Sequence, residues 1–224
     1  MGAAVESERD RLLGLVAGYV LEHGIAELTL RKLGAAIGTN NRMLLYYFAS
    51  KERLIEEALL AASHRFPVFA AAMAGFAGPE PLGERLDRCW AGIAAAENHP
   101  FHRLFFEVYG VALHQPGRFD QFLARVGRDW TNLVVGQLRA EGVPEPEAGL
   151  IGREIVALWR GLQFDLLSTG EAAEVAQTHS AAAAGFAERC ARARAAQPAG
   201  RPAFTMSSTR SGTATAEVVQ PQIE

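Results

Sequence analysis

Asn41, Arg42, Met43, Tyr46 and Tyr47 all fall within residues 41–47. A side-chain amide such as that of Asn41 can pair bidentately with adenine, and a guanidinium such as that of Arg42 with the N7 and O6 of guanine. Met43 can press on a thymine methyl. Tyr46 and Tyr47 can offer hydroxyls to phosphates and ring faces to sugars or methyl groups. Lys51 follows in the first turn of a further helix, where free N–H groups and the helix dipole favour an anion such as a phosphate. The chemistry these types suit is the reading and gripping of double-stranded DNA.

Such side chains need two short helices and a sharp turn to aim them. Thr29 is an expected N-cap, its hydroxyl accepting from a free N–H of the helix that follows. Leu30, Leu33 and Ile37 then give that helix one apolar face. Gly38 falls where the chain must turn through a left-handed residue. Asn40 is the expected cap of the second helix. Leu44 and Phe48 fix its inner face, and Asn41, Arg42, Tyr46 and Tyr47 point away from it. Ser50 caps a third helix. This is the layout of a helix-turn-helix. An earlier helix, from Ser7 to about Glu22 with Leu12, Leu13, Val16, Tyr19 and Val20 inward, ends at Gly24 and is expected to pack across the pair. Arg9 or Arg11 at its start is a further phosphate candidate.

Charge supports a local interface. The chain has 224 residues and a formal net charge of −3, so it is not basic as a whole. Its only lysines are Lys32 and Lys51. Between Thr29 and Arg53 the charges are Arg31, Lys32, Arg42, Lys51, Arg53 and one acid, Glu52. Adjacent helical positions diverge by about 100°, so Arg31 and Lys32 cannot both face DNA. A solvated helix pair could carry a similar set of charges; the caps and spacing are what favour DNA.

The stretch resembles the TetR family of bacterial transcriptional regulators. The resemblance covers roughly residues 10 to 60. It rests on Gly24-Ile25 before Leu28-Thr29, the Arg31-Lys32-Leu33 run, Gly38, Leu44 with Tyr46-Tyr47-Phe48, and Ser50-Lys51-Glu52-Arg53-Leu54. By position it implies phosphate contacts for Thr29, Tyr47 and Lys51. It implies base or groove-wall contacts for Arg31, Asn41, Arg42, Met43 and Tyr46, with Asn40 beside them. Leu45 departs from the pattern, because many family members carry tyrosine there.

The remainder reads as helix and turn without a period-two strand signal, so an all-α fold is expected. The helix opened at Ser50 runs to about Phe66, and Pro67 bends or breaks the segment. Residues 75–81 form the clearest loop. Further helices are expected at 82–98, 101–114, 118–141, 147–168 and 171–195. The expected organisation is a flexible arm at 1–8, a helix-turn-helix domain at 9–50 with the connecting helix starting up to about 55, a helical regulatory and dimerisation domain at 51–196, and a disordered tail at 197–224. Leu150, Ile151, Ile155, Leu158, Leu162 and Leu166 recur at helical spacing, and Val156, Trp159 and Phe164 widen the apolar surface. A helix so broadly apolar is buried on more than one side. The resemblance implies a homodimer through the last two helices, with Ile155, Leu158, Leu162, Leu166 and Phe186 as the expected interface; an internal core helix is the alternative.

The resemblance also implies an unknown small-molecule effector held among the central helices. Trp90, Phe105, Phe106, Tyr109, Trp130, Trp159, Gln163 and Phe164 are wall candidates, although aromatics at helical spacing also build plain core. Glu107 and Asp165 either orient a ligand or pair with Arg103 and Arg160. His99, His102 and His114 fit no metal-site spacing, so neither metal nor cofactor is expected. Cys89 and Cys190 read as buried thiols of a reducing cytosol. No signal peptide or membrane span is evident, so a cytoplasmic location and no membrane partner are expected. Together the expected function is a ligand-responsive, sequence-specific DNA-binding regulator, a repressor acting as a homodimer on a palindromic operator. A helical enzyme lacks any nucleophile elbow, phosphate loop or paired-carboxylate motif. The other alternative is a helical protein–protein adaptor or small-molecule-binding protein that has lost specific DNA binding.

Overall fold

The structure, a computed structural model, describes residues 7–63, 65, 75–76, 78–115 and 117–196. Residues 1–6 of the arm expected at 1–8, the bend at Pro67 and the tail at 197–224 lie outside the described residues, while Ser7 caps the first helix and Glu8 begins it. All described regular structure is helical.

We number the helices α1 (Glu8–His23), α2 (Leu30–Ala36), α3 (Asn41–Phe48), α4 (Lys51–Ser63), α5 (Leu82–Ala94), α6 (His99–His114), α7 (Asp120–Ala140), α8 (Glu145–Thr169) and α9 (Ala172–Ala195). Their starts follow from local chemistry. The Ser7, Thr29, Asn40 and Ser50 side chains each accept from a backbone N–H three residues on, those of Asp10, Lys32, Met43 and Arg53, at 3.0–3.2 Å. Such a cap satisfies one of the orphan donors at a helix start. Gly38 turns between α2 and α3 with φ +72°, a conformation a side chain would strain. Gly34 serves the same turn by its size: a Cβ there would meet the Thr39 carbonyl oxygen at 3.0 Å.

One expected helix is cut short. The 82–98 segment leaves helical geometry at Ala95 and continues as a single 3-10 turn, Ala96–Asn98. Asn98 is fully buried and its Nδ2 donates to the Gly92 carbonyl at 2.6 Å, closing the end of α5. Pro100 then lies in the first turn of α6, where its missing N–H costs nothing. This is why α6 begins at His99, ahead of the expected residue 101.

α1 packs along α4, and the α2–α3 pair leans on α4 through α3. Leu12, Val16, Val20, Leu33, Leu44, Phe48, Leu54, Ile55 and Ala58 form their shared core, each nearly fully buried. Burying a side chain such as Leu44 or Phe48 contributes about 1.5–3 kcal/mol. α6 touches both α1 and α4. Beyond it, α7 packs on α8, and α9 lies against α5 and α8. α8 and α9 run antiparallel around Gly170, which caps α8 in the left-handed conformation. Arg189 of α9 pairs with Glu154 of α8 across this hairpin.

Candidate nucleic-acid interface

The turn geometry sets the outer side of α2 and α3. Leu44 and Phe48 hold α3 against the core, so the positions between them face outward. Asn41, Arg42 and Tyr46 are exposed, Tyr46 to 77%, and Met43 and Tyr47 are half-buried. The Tyr46 and Tyr47 rings meet edge to face at 5.0 Å. Leu45 is also exposed, adding an apolar element to the face. Asn40 is exposed, but its side chain is engaged in the cap. Thr29 and Arg31 are exposed at the start of α2. Among the described residues no ion pair takes up Arg31 or Arg42, so both guanidinium groups are available to an anion. Lys32 lies 3.5 Å from Glu27 in an exposed setting, a pair worth little in water.

Lys51 stands in the first turn of α4, and its side chain is engaged within the chain. Its Nζ donates to the carbonyl of Leu28, which ties α4 to the segment entering α2. Partial burial, followed by the nearby positive charge of Arg118, holds its pKa below the usual lysine value. What the first turn of α4 offers an anion is therefore its free backbone N–H groups together with this half-buried cation. Arg9 and Arg11 are also taken up internally. Arg9 pairs with Glu57 of α4 and lies over the Phe48 ring at 4.9 Å. Arg11 pairs with Glu8 at 2.7 Å.

Among the described residues, polar contacts at two places join this head to the rest of the chain. The Glu107 carboxylate of α6 accepts from the backbone N–H groups of Ile25, at 2.9 Å, and Ala26, at 2.6 Å. Gly24 leaves it room, since a Cβ there would come within 2.5 Å of Glu107 Oε2. Glu107 thus holds the α1–α2 turn, which sequence reasoning missed. An acid in an apolar stretch was the signal, but its partners are backbone groups 81 and 82 residues away. The second contact joins α4 to the start of α7: Arg118 Nε donates to Glu52 at 3.1 Å and the Phe122 N–H to Glu56 at 3.2 Å.

The expected effector-pocket residues separate into groups. Trp90 and Trp159 meet at His179, a residue the sequence reading did not single out. Trp159 Nε1–H donates to His179 Nε2 at 3.0 Å, and the Trp90 ring stacks on the imidazole at 5.2 Å. Accepting at Nε2 places the proton on Nδ1, which donates to Asp87 at 3.1 Å. Burial keeps His179 below the usual histidine pKa, the Asp87 contact acting the other way. Phe106 meets Phe164 of α8 edge to face at 5.8 Å. Tyr109 stacks on Phe105, which in turn meets Phe122 of α7. Gln163 is buried on α8 and Trp130 half-buried on α7. His102 is buried, its Nε2 2.9 Å from the Ile93 carbonyl. Asp165 is exposed on α8.

The residues expected at the dimer surface differ in their exposure within one chain. Ile155, Leu162 and Leu166 are buried in the chain's own core, at 0%, 7% and 5% exposure. Leu158 and Phe186 are half-buried. The side of α8 left open carries Leu150, Arg153, Ala157, Gly161 and Phe164, with Phe164 exposed to 62%. The helix is apolar around so much of its circumference that spacing alone did not tell its inner from its outer side.

Comparison with known proteins agrees with this geometry. Residues 20–58, which span the end of α1 through most of α4, match the family model of the TetR family of bacterial regulatory proteins. A search of curated proteins finds no match. Among solved structures, a TetR-family transcriptional regulator from Rhodococcus sp. is 22% identical, with a TM-score of 0.61 over 80% of this chain and 97% of that one. A transcriptional regulator from Pseudomonas aeruginosa PAO1 is 20% identical, with a TM-score of 0.64 over 83% and 93%. A TetR-like transcriptional regulator from Rhodococcus sp. RHA1 is 18% identical, with a TM-score of 0.56 over 86% and 98%. At these identities the likeness is one of fold. Residues 20–58 thus resemble the helix-turn-helix segment of the TetR family of bacterial regulatory proteins, and the chain as a whole shares the all-α fold of these solved transcriptional regulators.

Proposed function

We propose that the chain is a sequence-specific transcriptional regulator, a repressor that binds a palindromic operator as a homodimer in the cytoplasm and is released by a small molecule. The observation that carries this reading is the outer face of α3. Asn41, Arg42 and Tyr46 stand exposed on a helix whose opposite side is fixed by buried Leu44 and Phe48. A recognition helix needs this arrangement, with its N-terminal residues free for base edges and its inner side immobile. In this reading Arg42 and Asn41 read bases and Met43, Tyr46 and Arg31 line the groove. Thr29, Tyr47 and the first turn of α4 at Lys51 grip phosphates, and Asn40 holds the helix start.

The division of labour follows the chain. Residues 9–50, with the start of the connecting helix to about residue 55, bind DNA, and the rest of 51–196 carries the effector and the dimer contact. The open side of α8, from Leu150 through Ala157 and Gly161 to Phe164, together with the exposed alanines of α9, is the surface that meets a second copy. The effector lies among α5–α8, where Phe106, Tyr109, Trp130 and Gln163 are the wall candidates. Release requires the effector to prefer one dimer geometry, since equal affinity for both shifts nothing. Contacts from α6 and α7 to the head, through Glu107 and Arg118, offer the route by which such a preference is felt.

Selection of bound duplexes from a random pool tests the reading. A palindromic consensus is expected, because a two-fold dimer imposes its symmetry on the site. A pool without enrichment sinks the proposal in favour of an adaptor on the same fold.

A further inference from the structure

Glu52 is the single acid between Thr29 and Arg53, and it directly follows Lys51. A free carboxylate there would oppose DNA, because each contact made with phosphates depends on local positive charge. The structure does not leave it free. Arg118, from the turn between α6 and α7, donates from Nε to Glu52 Oε1 at 3.1 Å. The arginine is itself held: its guanidinium lies over the Phe119 ring at 5.2 Å, and Nη1 donates to the Gln115 amide oxygen. Its side chain is 26% exposed and that of Glu52 39%, so the pair is only partly screened by water.

We infer that Arg118 is a positioning residue for DNA binding: it masks the Glu52 carboxylate beside Lys51, so the face built by α2, α3 and the start of α4 stays positive. This inference rests on the reading of that face as a DNA interface. Arg118 lies outside the helix-turn-helix, on a turn that follows α6. Withdrawing that turn uncovers a negative charge at the phosphate-facing edge, so a movement in the helical body alters the charge the head presents as well as its angle. The effect is electrostatic and independent of base sequence.

Binding of the full chain to a random-sequence duplex of fixed length, titrated across salt concentrations, tests it. Arg118→Ala is expected to weaken binding by about threefold to tenfold at low salt, the size of one uncompensated charge near a protein surface. The deficit narrows as the Debye length falls below about 10 Å. Glu52→Gln, which leaves the Arg118 charge uncompensated, is expected to bind at least as tightly as the wild type, and the double variant, whose local charge equals the wild type's, to match the wild type. A turn that merely anchors α4 predicts the opposite for Glu52→Gln, since both single variants break the same contact; equal losses would overturn the inference. A double variant that binds as weakly as Arg118→Ala alone would mean that Arg118 contacts DNA itself and would overturn it too, as would no loss for Arg118→Ala at all. If the wild-type chain shows no salt-dependent binding, the DNA reading itself fails, an outcome distinct from a binding wild type with unaltered variants.

Discussion

The outer side of α2–α3 and the interior of α5–α9 treat polar side chains in opposite ways. On α2 and α3 the backbone is pinned by caps at Thr29 and Asn40, while Arg31, Asn41, Arg42 and Tyr46 reach into solvent. In the body the polar groups are turned inward and answered by neighbours. Arg85, 1% exposed, reaches the Phe76 carbonyl at 3.0 Å and Glu141 at 2.5 Å. His179 joins Asp87, Trp159 and Trp90 across α5, α8 and α9. A surface meant to meet another molecule keeps its donors unspoken for, whereas a core pairs most of the donors it buries; the buried Arg85 Nε is an exception. The difference separates residues that carry recognition from residues that carry stability.

Substitutions should therefore split cleanly between the two regions. The largest effect is expected for Trp159→Ala, which opens the body's core and strands His179. A loss of about 3–5 kcal/mol is expected from the cavity alone, read by denaturant unfolding, with DNA affinity falling only as the folded fraction falls. Arg42→Ala should do the reverse. It should cost about 1–3 kcal/mol in specific binding and relax preference at one base pair of each half-site, with an unchanged melting temperature.

Asn40→Ala sits between the regions, because the cap sets the angle at which α3 is presented. A loss of about 0.5–2 kcal/mol in stability is expected, together with weaker binding to all sequences alike. A normal affinity at reduced stability would show that the cap does not aim the helix. The mildest test is pH. Burial lowers the pKa of both His179 and His102 in the folded chain. The unfolded chain then binds more protons, so stability is full above about pH 6.5, the unperturbed histidine value. It declines as the pH drops from there through the lower folded values. Melting temperature should fall between pH 7 and pH 5, and the slope should shrink in His179→Gln. An equal slope in that variant would remove His179 from the account.

The sequence was most informative where structure is local. Ser7, Thr29, Asn40 and Ser50 each cap a partner three residues away, and Gly38 and Gly170 turn the chain where their positions require it. Residue type and spacing suffice for such features. Long-range pairing was not legible. Asp87 and His179 are 92 residues apart and Ile25 and Glu107 82, and neither pair leaves a periodic trace. α8 was ambiguous for another reason. Its apolar residues surround the axis, so Ile155 and Leu162 could not be told from outward Phe164 until its neighbours were in place. Lys51 shows the same limit on a smaller scale: its type suits a phosphate, but its reach toward the Leu28 carbonyl depends on how α4 meets the turn before α2.

The central claim is that the outward side chains of α3 read DNA. The most direct measurement is a binding-site selection from random duplexes run in parallel on the wild-type chain and on Arg42→Ala. The account predicts a palindromic consensus for the wild type and the loss of preference at one symmetry-related position for the variant, with the remaining positions retained. An unchanged consensus in the variant, or no enrichment with the wild type, would contradict it.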